Sequence, residues 1–305
     1  MSHFKVESLL AARLFLAPQL ADDRVYFISD LSGRLSLYAM DRGGSVPEPL
    51  LPPDVALMTP TLLGGLPFSV FPTLDRVIVM IDRDGDENYQ PLAIPLAGGI
   101  PEPVFPQFAG MQCTIDDCDA DRNLMFLSVD HRTEPVVDLY RVDLAAGELT
   151  LLASSMYGYY PAGANEDLTR VVLGEGYEAG DVALFLWEHA STPAGGAPPG
   201  ADHPALQVIF GVPMGQRTTG QSVPLNGIRY AHPVGVDGIL LQCTLFDDRG
   251  GLAWLPIGRP EDVRPVAIAG AVHAGDGELE GVEHLDGDRY LVHYNIDGAT
   301  WAYEA

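Results

Sequence analysis

A polar doublet, usually Asp-Arg, followed by a short apolar run recurs along most of the chain, and this recurrence excludes most folds. The doublets are Asp23-Arg24, Asp75-Arg76, Asp121-Arg122, Thr169-Arg170 and Asp288-Arg289, with Asp237-Gly238 as a degenerate copy. Counted from residues 24, 76, 122, 170, 238 and 289, the intervals are 52, 46, 48, 68 and 51 residues. The long interval contains an Ala/Pro/Gly-rich stretch, and we expect an inserted surface loop at about residues 190–204.

Each unit continues in the same order: a polar turn, a second alternating run, then a turn containing glycine. Leu35-Ser36-Leu37-Tyr38-Ala39-Met40 precedes Gly43-Gly44, and Leu92-Ala93-Ile94-Pro95-Leu96 precedes Gly98-Gly99. Pro47-Glu48-Pro49-Leu50 and Pro101-Glu102-Pro103-Val104 then match in residue type and spacing. The runs are short, rich in β-branched and aromatic residues, and bounded by Gly, Asp and Pro, so they read as strands. Apolar residues at consecutive positions of the first run imply strands covered on both faces, as stacked blades require. Asp84-Gly85, Asn226-Gly227, Asp276-Gly277, Asp286-Gly287 and Asp297-Gly298 are expected to supply tight turns. The fold class is therefore all-β, a β-propeller with six readable blades over 1–305 as a single domain. Residues 300–303 stand where 37–40 stand in the first unit, so the sequence stops about one strand short of a full blade. Either the N-terminal segment closes that blade or the protein continues, in which case a seventh blade is expected.

Charge narrows the partners. Lys and Arg number 17 against 42 Asp and Glu, a net charge of −25, and Lys5 is the only lysine. Such a surface repels nucleic acid and anionic bilayers. No apolar run reaches the length of a membrane span. The stretch 9–21 carries Arg13 inside it and leads into a strand-like unit, so we read it as folded sequence and the protein as cytoplasmic. Cys113, Cys118 and Cys243 give no disulfide framework and no paired metal-ligand spacing.

Two segments resemble a known family. Ser29-Asp30-Leu31-Ser32-Gly33-Arg34-Leu35-Ser36-Leu37-Tyr38 and Asp82-Arg83-Asp84-Gly85-Asp86-Glu87-Asn88-Tyr89-Gln90 resemble the N-terminal propeller of the prolyl oligopeptidase family of serine peptidases, nearest its acylaminoacyl-peptidase and dipeptidyl-peptidase branches. The likeness is strongest over about the first 150 residues. It implies a seven-bladed, non-catalytic propeller that gates small peptides to an α/β-hydrolase domain carrying the Ser, Asp and His triad. That domain is not in this sequence, so no catalytic residue is assigned here. The alternative is a free-standing propeller that serves as a binding scaffold for a protein or small ligand, and homo-oligomerisation is left open.

The residues agree with a non-catalytic chain. Gly220-Gln221-Ser222-Val223-Pro224 is the nearest approach to a nucleophile elbow, but it lacks the final glycine and a following helix. His131, His189, His203, His232, His273, His284 and His293 cannot be paired with a serine by sequence. No zinc, redox or phosphate-loop motif is present. Asp82, Asp84, Asp86 and Asn88 recur at every second position, a spacing that could converge oxygens on calcium; no other cofactor is expected. Against calcium, Gly85 is at the fourth place rather than the sixth and Ala93 stands at the twelfth, so a hairpin tip whose carboxylates cap turn amides is the competing reading. Trp187, Trp254, Trp301 and the cluster Tyr157-Gly158-Tyr159-Tyr160 are expected to pack between blades, with ligand contact as the alternative.

Overall fold

A computed structural model describes residues 12–60, 63–83, 85–189, 206–270 and 277–305. The chain folds as a six-bladed β-propeller of antiparallel sheets, and within each sheet the neighbouring strands follow one another in sequence. Two compact units, Met1–Ser154 and Ser155–Ala305, divide it.

The first unit holds three blades, the third of them up to Ser154. Blade 1 is β1 (Phe15–Ala21), β2 (Arg24–Ser29), β3 (Ser36–Asp41) and β4 (Glu48–Pro49). Blade 2 is β5 (Phe68–Phe71), β6 (Arg76–Ile81), β7 (Gln90–Pro95) and β8 (Glu102–Pro103). Blade 3 is β9 (Gln112–Asp119), β10 (Leu124–Asp130), β11 (Val137–Asp143) and β12 (Glu148–Ser155). In the second unit, blade 4 is β13 (Tyr159–Ala164), β14 (Arg170–Glu178), β15 (Asp181–Glu188) and β16 (Leu206–Phe210). Blade 5 is β17 (Tyr230–Val234), β18 (Gly238–Cys243), β19 (Gly251–Pro256) and β20 (Arg264–Val266). Blade 6 has three described strands, β21 (Glu278–Asp286), β22 (Arg289–Ile296) and β23 (Ala299–Glu304). The expected loop at 190–204 lies outside the described residues.

The repeated doublet marks the hairpin into the second strand of each blade. Asp22, Asp75 and Asn123 take left-handed φ of 51°, 53° and 57° in those turns; short polar side chains tolerate that region better than most. The arginine after the turn then pairs with an acid at the same end of its sheet: Arg24 with Glu48 at 2.7 Å, Arg170 with Glu188 at 2.8 Å, and Arg289 with Glu304 at 2.9 Å. Exposed pairs of this kind contribute only about 0 to 1 kcal/mol, so burial holds the blades together.

Second strands are sandwiched as the consecutive apolar positions require. On β6, Val77 and Val79 join a core with Phe68 of β5 and with Ile28 and Leu37 of blade 1, while Ile78 and Met80 join Phe71 of β5 and Met125 and Leu127 of blade 3. On β18, Ile239 and Leu241 pack with Val172 and Leu184, and Leu240 with Leu279 and Val292. A fully buried Val or Ile contributes about 1.5 to 3 kcal/mol, so these runs outweigh the charged hairpin tips.

Of the expected turns, Asp276 lies outside the described residues, with Gly277 directly before β21, and one other has a different place. Asn226-Gly227 is not a hairpin but part of the connector between β16 and β17. Both backbone amides donate to Gly180 O, and the buried Asn226 side chain donates to Val182 O at 2.8 Å. A Cβ on Gly227 would strike Thr244, so the glycine is needed for close approach as well as for its φ of 51°. Among the described residues, no helix is long and apolar enough to cross a membrane.

Candidate functional site

The acidic turn joins β6 to β7 and borders a cavity of about 1010 Å³ within the first unit. Asp82, Asp86 and Asn88 line it together with Asp54, Arg83 and an apolar floor that includes Val55, Leu57 and Phe105. Asp84 lies outside the described residues. The turn is held by its own carboxylates. Asp86 Oδ1 accepts the amides of Arg83 at 3.2 Å and Asn88 at 3.0 Å, and Asp82 Oδ2 accepts that of Glu87 at 3.4 Å. The Asn88 amide chiefly keeps the Asp86 carboxyl below its ordinary range; desolvation opposes it, and the Arg83 amide adds to the lowering. Among the described residues, no group of three or more His, Cys, Asp or Glu is placed to hold a metal ion.

Arg132 anchors the turn from the next blade. Its backbone is left-handed, φ 62°, and its guanidinium donates to Asn88 Oδ1 at 3.1 Å and Gln112 Oε1 at 3.0 Å. Nothing in the repeat pattern singles this arginine out. Gln90, the first residue of β7, adds a second tie by donating to Met111 O at 2.5 Å. The turn, the arginine and the 104–111 connector therefore form one hydrogen-bonded rim with acidic oxygens and apolar walls. A rim of this composition suits a ligand segment with apolar and basic groups.

Ser, His and Asp side chains converge once among the described residues of the same unit. The buried Asp138 accepts Ser154 Oγ at 2.6 Å on Oδ1, while its Oδ2 takes Tyr140 OH at 3.1 Å and lies 2.8 Å from His131 Nε2. Burial, with the Asp138 charge adding to it, pushes the Tyr140 hydroxyl up to about 12. Nucleophilic catalysis needs the base on the serine and the acid behind the base. Here the serine and the histidine both engage the carboxylate, so Asp138 ties three groups together and the Ser154 hydroxyl bonds to the acid, not to His131.

A second polar cluster occupies the second unit. The buried Glu175 accepts Ser155 Oγ and Tyr177 OH. Arg217 makes a bidentate pair with Asp181, at 2.6 and 2.8 Å, and its guanidinium carbon is 4.5 Å from the Tyr177 ring centroid. Tyr157 meets Tyr177 edge-on at 5.0 Å, and Tyr159 meets Phe185 at 5.3 Å. Tyr160 lies over Gly174, whose missing Cβ makes room for the ring, and donates to Ile228 O at 3.2 Å. The tyrosine cluster thus packs, as does the buried Trp187; Tyr157 and Trp301 are exposed. Ser222 is in an exposed connector with no helix after it. His203 and His273 are outside the described residues. All three cysteines are free, and burial drives the Cys113 thiol up to about 12 against a bond from Gln90.

The sequence matches no family model and no curated protein. Solved structures do match. A puromycin hydrolase in complex with PGG superposes with a TM-score of 0.61 at 13% identity, over 95% of this chain and 45% of that one. Prolyl oligopeptidase B from Galerina marginata gives 0.58 at 10%, over 96% and 42%. A puromycin-hydrolyzing peptidase of Mycobacterium tuberculosis gives 0.56 at 12%, over 92% and 43%. The fold is that of the propellers in this peptidase family. At such identities the likeness is one of fold, and the chain spans less than half the length of each structure.

Proposed function

We propose that this chain is the non-catalytic propeller of a serine peptidase of the prolyl oligopeptidase type, restricting a hydrolase domain to small peptides. The observation that carries the reading is the structural match to peptidases over 95% of this chain but only 45% of the partner. The Asp138 arrangement supports it, since the Ser154 hydroxyl is committed to a carboxylate rather than to an imidazole. The net charge of −25 favours entry of uncharged or basic peptide ends through long-range steering. The test pairs two measurements on protein from its native source. Fluorophosphonate labelling is expected to leave residues 1–305 unmodified, and the intact mass is expected to be well above 32.8 kDa. Labelling of a serine in this chain would overturn the reading. A native product of 32.8 kDa would transfer the lead to a free-standing scaffold, for which the cavity beside the acidic turn is the binding site.

Calcium at Asp82, Asp84, Asp86 and Asn88 stands on spacing, and among the described residues one carboxylate oxygen each of Asp82 and Asp86 already holds turn amides. Titration with millimolar calcium is expected to give no heat. A one-to-one isotherm abolished by Asp82→Asn would instead assign the turn to the ion.

A further inference from the structure

Blades 5 and 6 leave a cavity of about 440 Å³ between β19, β20 and β22. Leu240, Leu252 and Val292 form its floor, and all three are buried in the core of the second unit. Two half-buried aromatic rings, Trp254 on β19 and Tyr290 on β22, stand in its wall. The only ionisable acid or base among the described lining side chains, apart from the Tyr290 phenol, is the carboxylate of Asp288 at the hairpin tip. We propose that this cavity binds a small organic cation, an ammonium head carrying apolar groups.

Three features support that class of ligand. Aromatic faces attract a cation through their quadrupole, and the attraction grows where water is excluded. The Trp254 ring is fixed in place because it lies across Gly238, where any Cβ would collide with the indole. Tyr290 is fixed from behind by edge-on and tilted contacts with His232 at 5.6 Å and His284 at 5.2 Å. The carboxylate is also uncommitted, since no hydrogen bond or ion pair joins Asp288 among the described residues. Its neighbour Arg289 is engaged with Asp286 at 2.6 Å and Glu304 at 2.9 Å. The field of Asp288 reaches the cavity wall: burial first, then this carboxylate, raises the Tyr290 hydroxyl above its ordinary range. Arg264 pairs in register with Trp254 across β19 and β20 but is exposed and does not line the cavity.

A neutral apolar ligand would use the floor and the rings and leave the carboxylate idle. An anion would meet Asp288 with no cation in the lining to offset it. A cation satisfies every element of the wall. The site is separate from the acidic turn of the first unit, and it does not depend on the gating reading.

The test titrates the full chain with benzyltrimethylammonium and, in parallel, with 4-tert-butylbenzyl alcohol, of like bulk and no charge. Heat and tryptophan fluorescence are followed. Saturable one-to-one binding of the cation is expected, with the alcohol about fivefold weaker or more. Asp288→Asn should weaken the cation by a similar factor and leave the alcohol unchanged. Asp297→Asn removes the same charge at the β22–β23 turn, where asparagine accepts the residue's φ of 52°, and should change neither. Equal affinity for cation and alcohol, equal loss in both variants, or no saturable binding of the cation in the millimolar range would each overturn the proposal.

Discussion

Asp116 occupies the irregular stretch of β9 where its register against β10 shifts, and it accepts Ser128 Oγ at 2.6 Å. Burial pushes its carboxyl up to about 7, and the Ser128 bond only partly opposes this. In an unfolded chain the same group titrates near ~3.9, so between that pH and about 7 the folded state keeps a proton the unfolded state has lost. Its contribution to stability is therefore full at low pH and declines as pH rises through this window. His232 has the opposite sign. Burial, then the stacked His284 ring at 4.2 Å, lowers it to about 4, below an unfolded value near ~6.5. Stability from this group is present above ~6.5 and is lost as pH falls toward about 4. Urea denaturation across this range should show Asp116→Asn flattening the loss on the neutral side and His232→Gln flattening it on the acid side. Trp187, Trp254 and Trp301 all lie in the second unit, so fluorescence follows His232, while Asp116 is followed by circular dichroism. Unchanged pH profiles in the two variants would remove these assignments.

Strands differ in how plainly the sequence declares them. Most second and third strands are apolar runs bounded by an Asp-Arg or Gly turn, and they lie where the repeat puts them. The first strands were not readable. β1, β9, β13 and β21 each carry a register shift, and their buried positions are interrupted by Gln, Asp, Gly and His. Their backbones are held by neighbours instead. Gln19 of β1, for example, donates to Phe68 O at 2.8 Å and accepts Val70 N at 3.3 Å, contacts that no local pattern announces. The matched Gly-Gly turns are a better signal, and a pair of variants separates their two requirements. Gly44 has φ +92° in open space, whereas Gly98 has φ +85° and a Cβ there would come within 2.8 Å of Leu50 O. Gly44→Ala should cost about 1 kcal/mol for the backbone alone, and Gly98→Ala about 2 kcal/mol or more, as measured by chemical denaturation. Equal costs would mean that Leu50 moves aside without penalty.

For the molecule as a whole, the period of about fifty residues was enough to predict blades, because nothing else repeats several short strands at that interval. Function was less legible. The acidic turn stood out by alternation within nine residues, but its tie to Arg132 spans 44 positions. The same holds for Arg217 and Asp181, 36 apart, and for the two walls of the cation cavity. Sites of this kind are assembled by blade stacking, and residue type gives no warning of them. The strand order has a different consequence, for how the protein is made. Every described sheet is a meander of consecutive strands, so none awaits a partner from a distant part of the chain. On the ribosome, each sheet can complete its hydrogen bonds as soon as its own segment emerges, ahead of the next. Synthesis then proceeds by adding finished sheets, each of which buries its apolar faces only when the next one arrives to share a core.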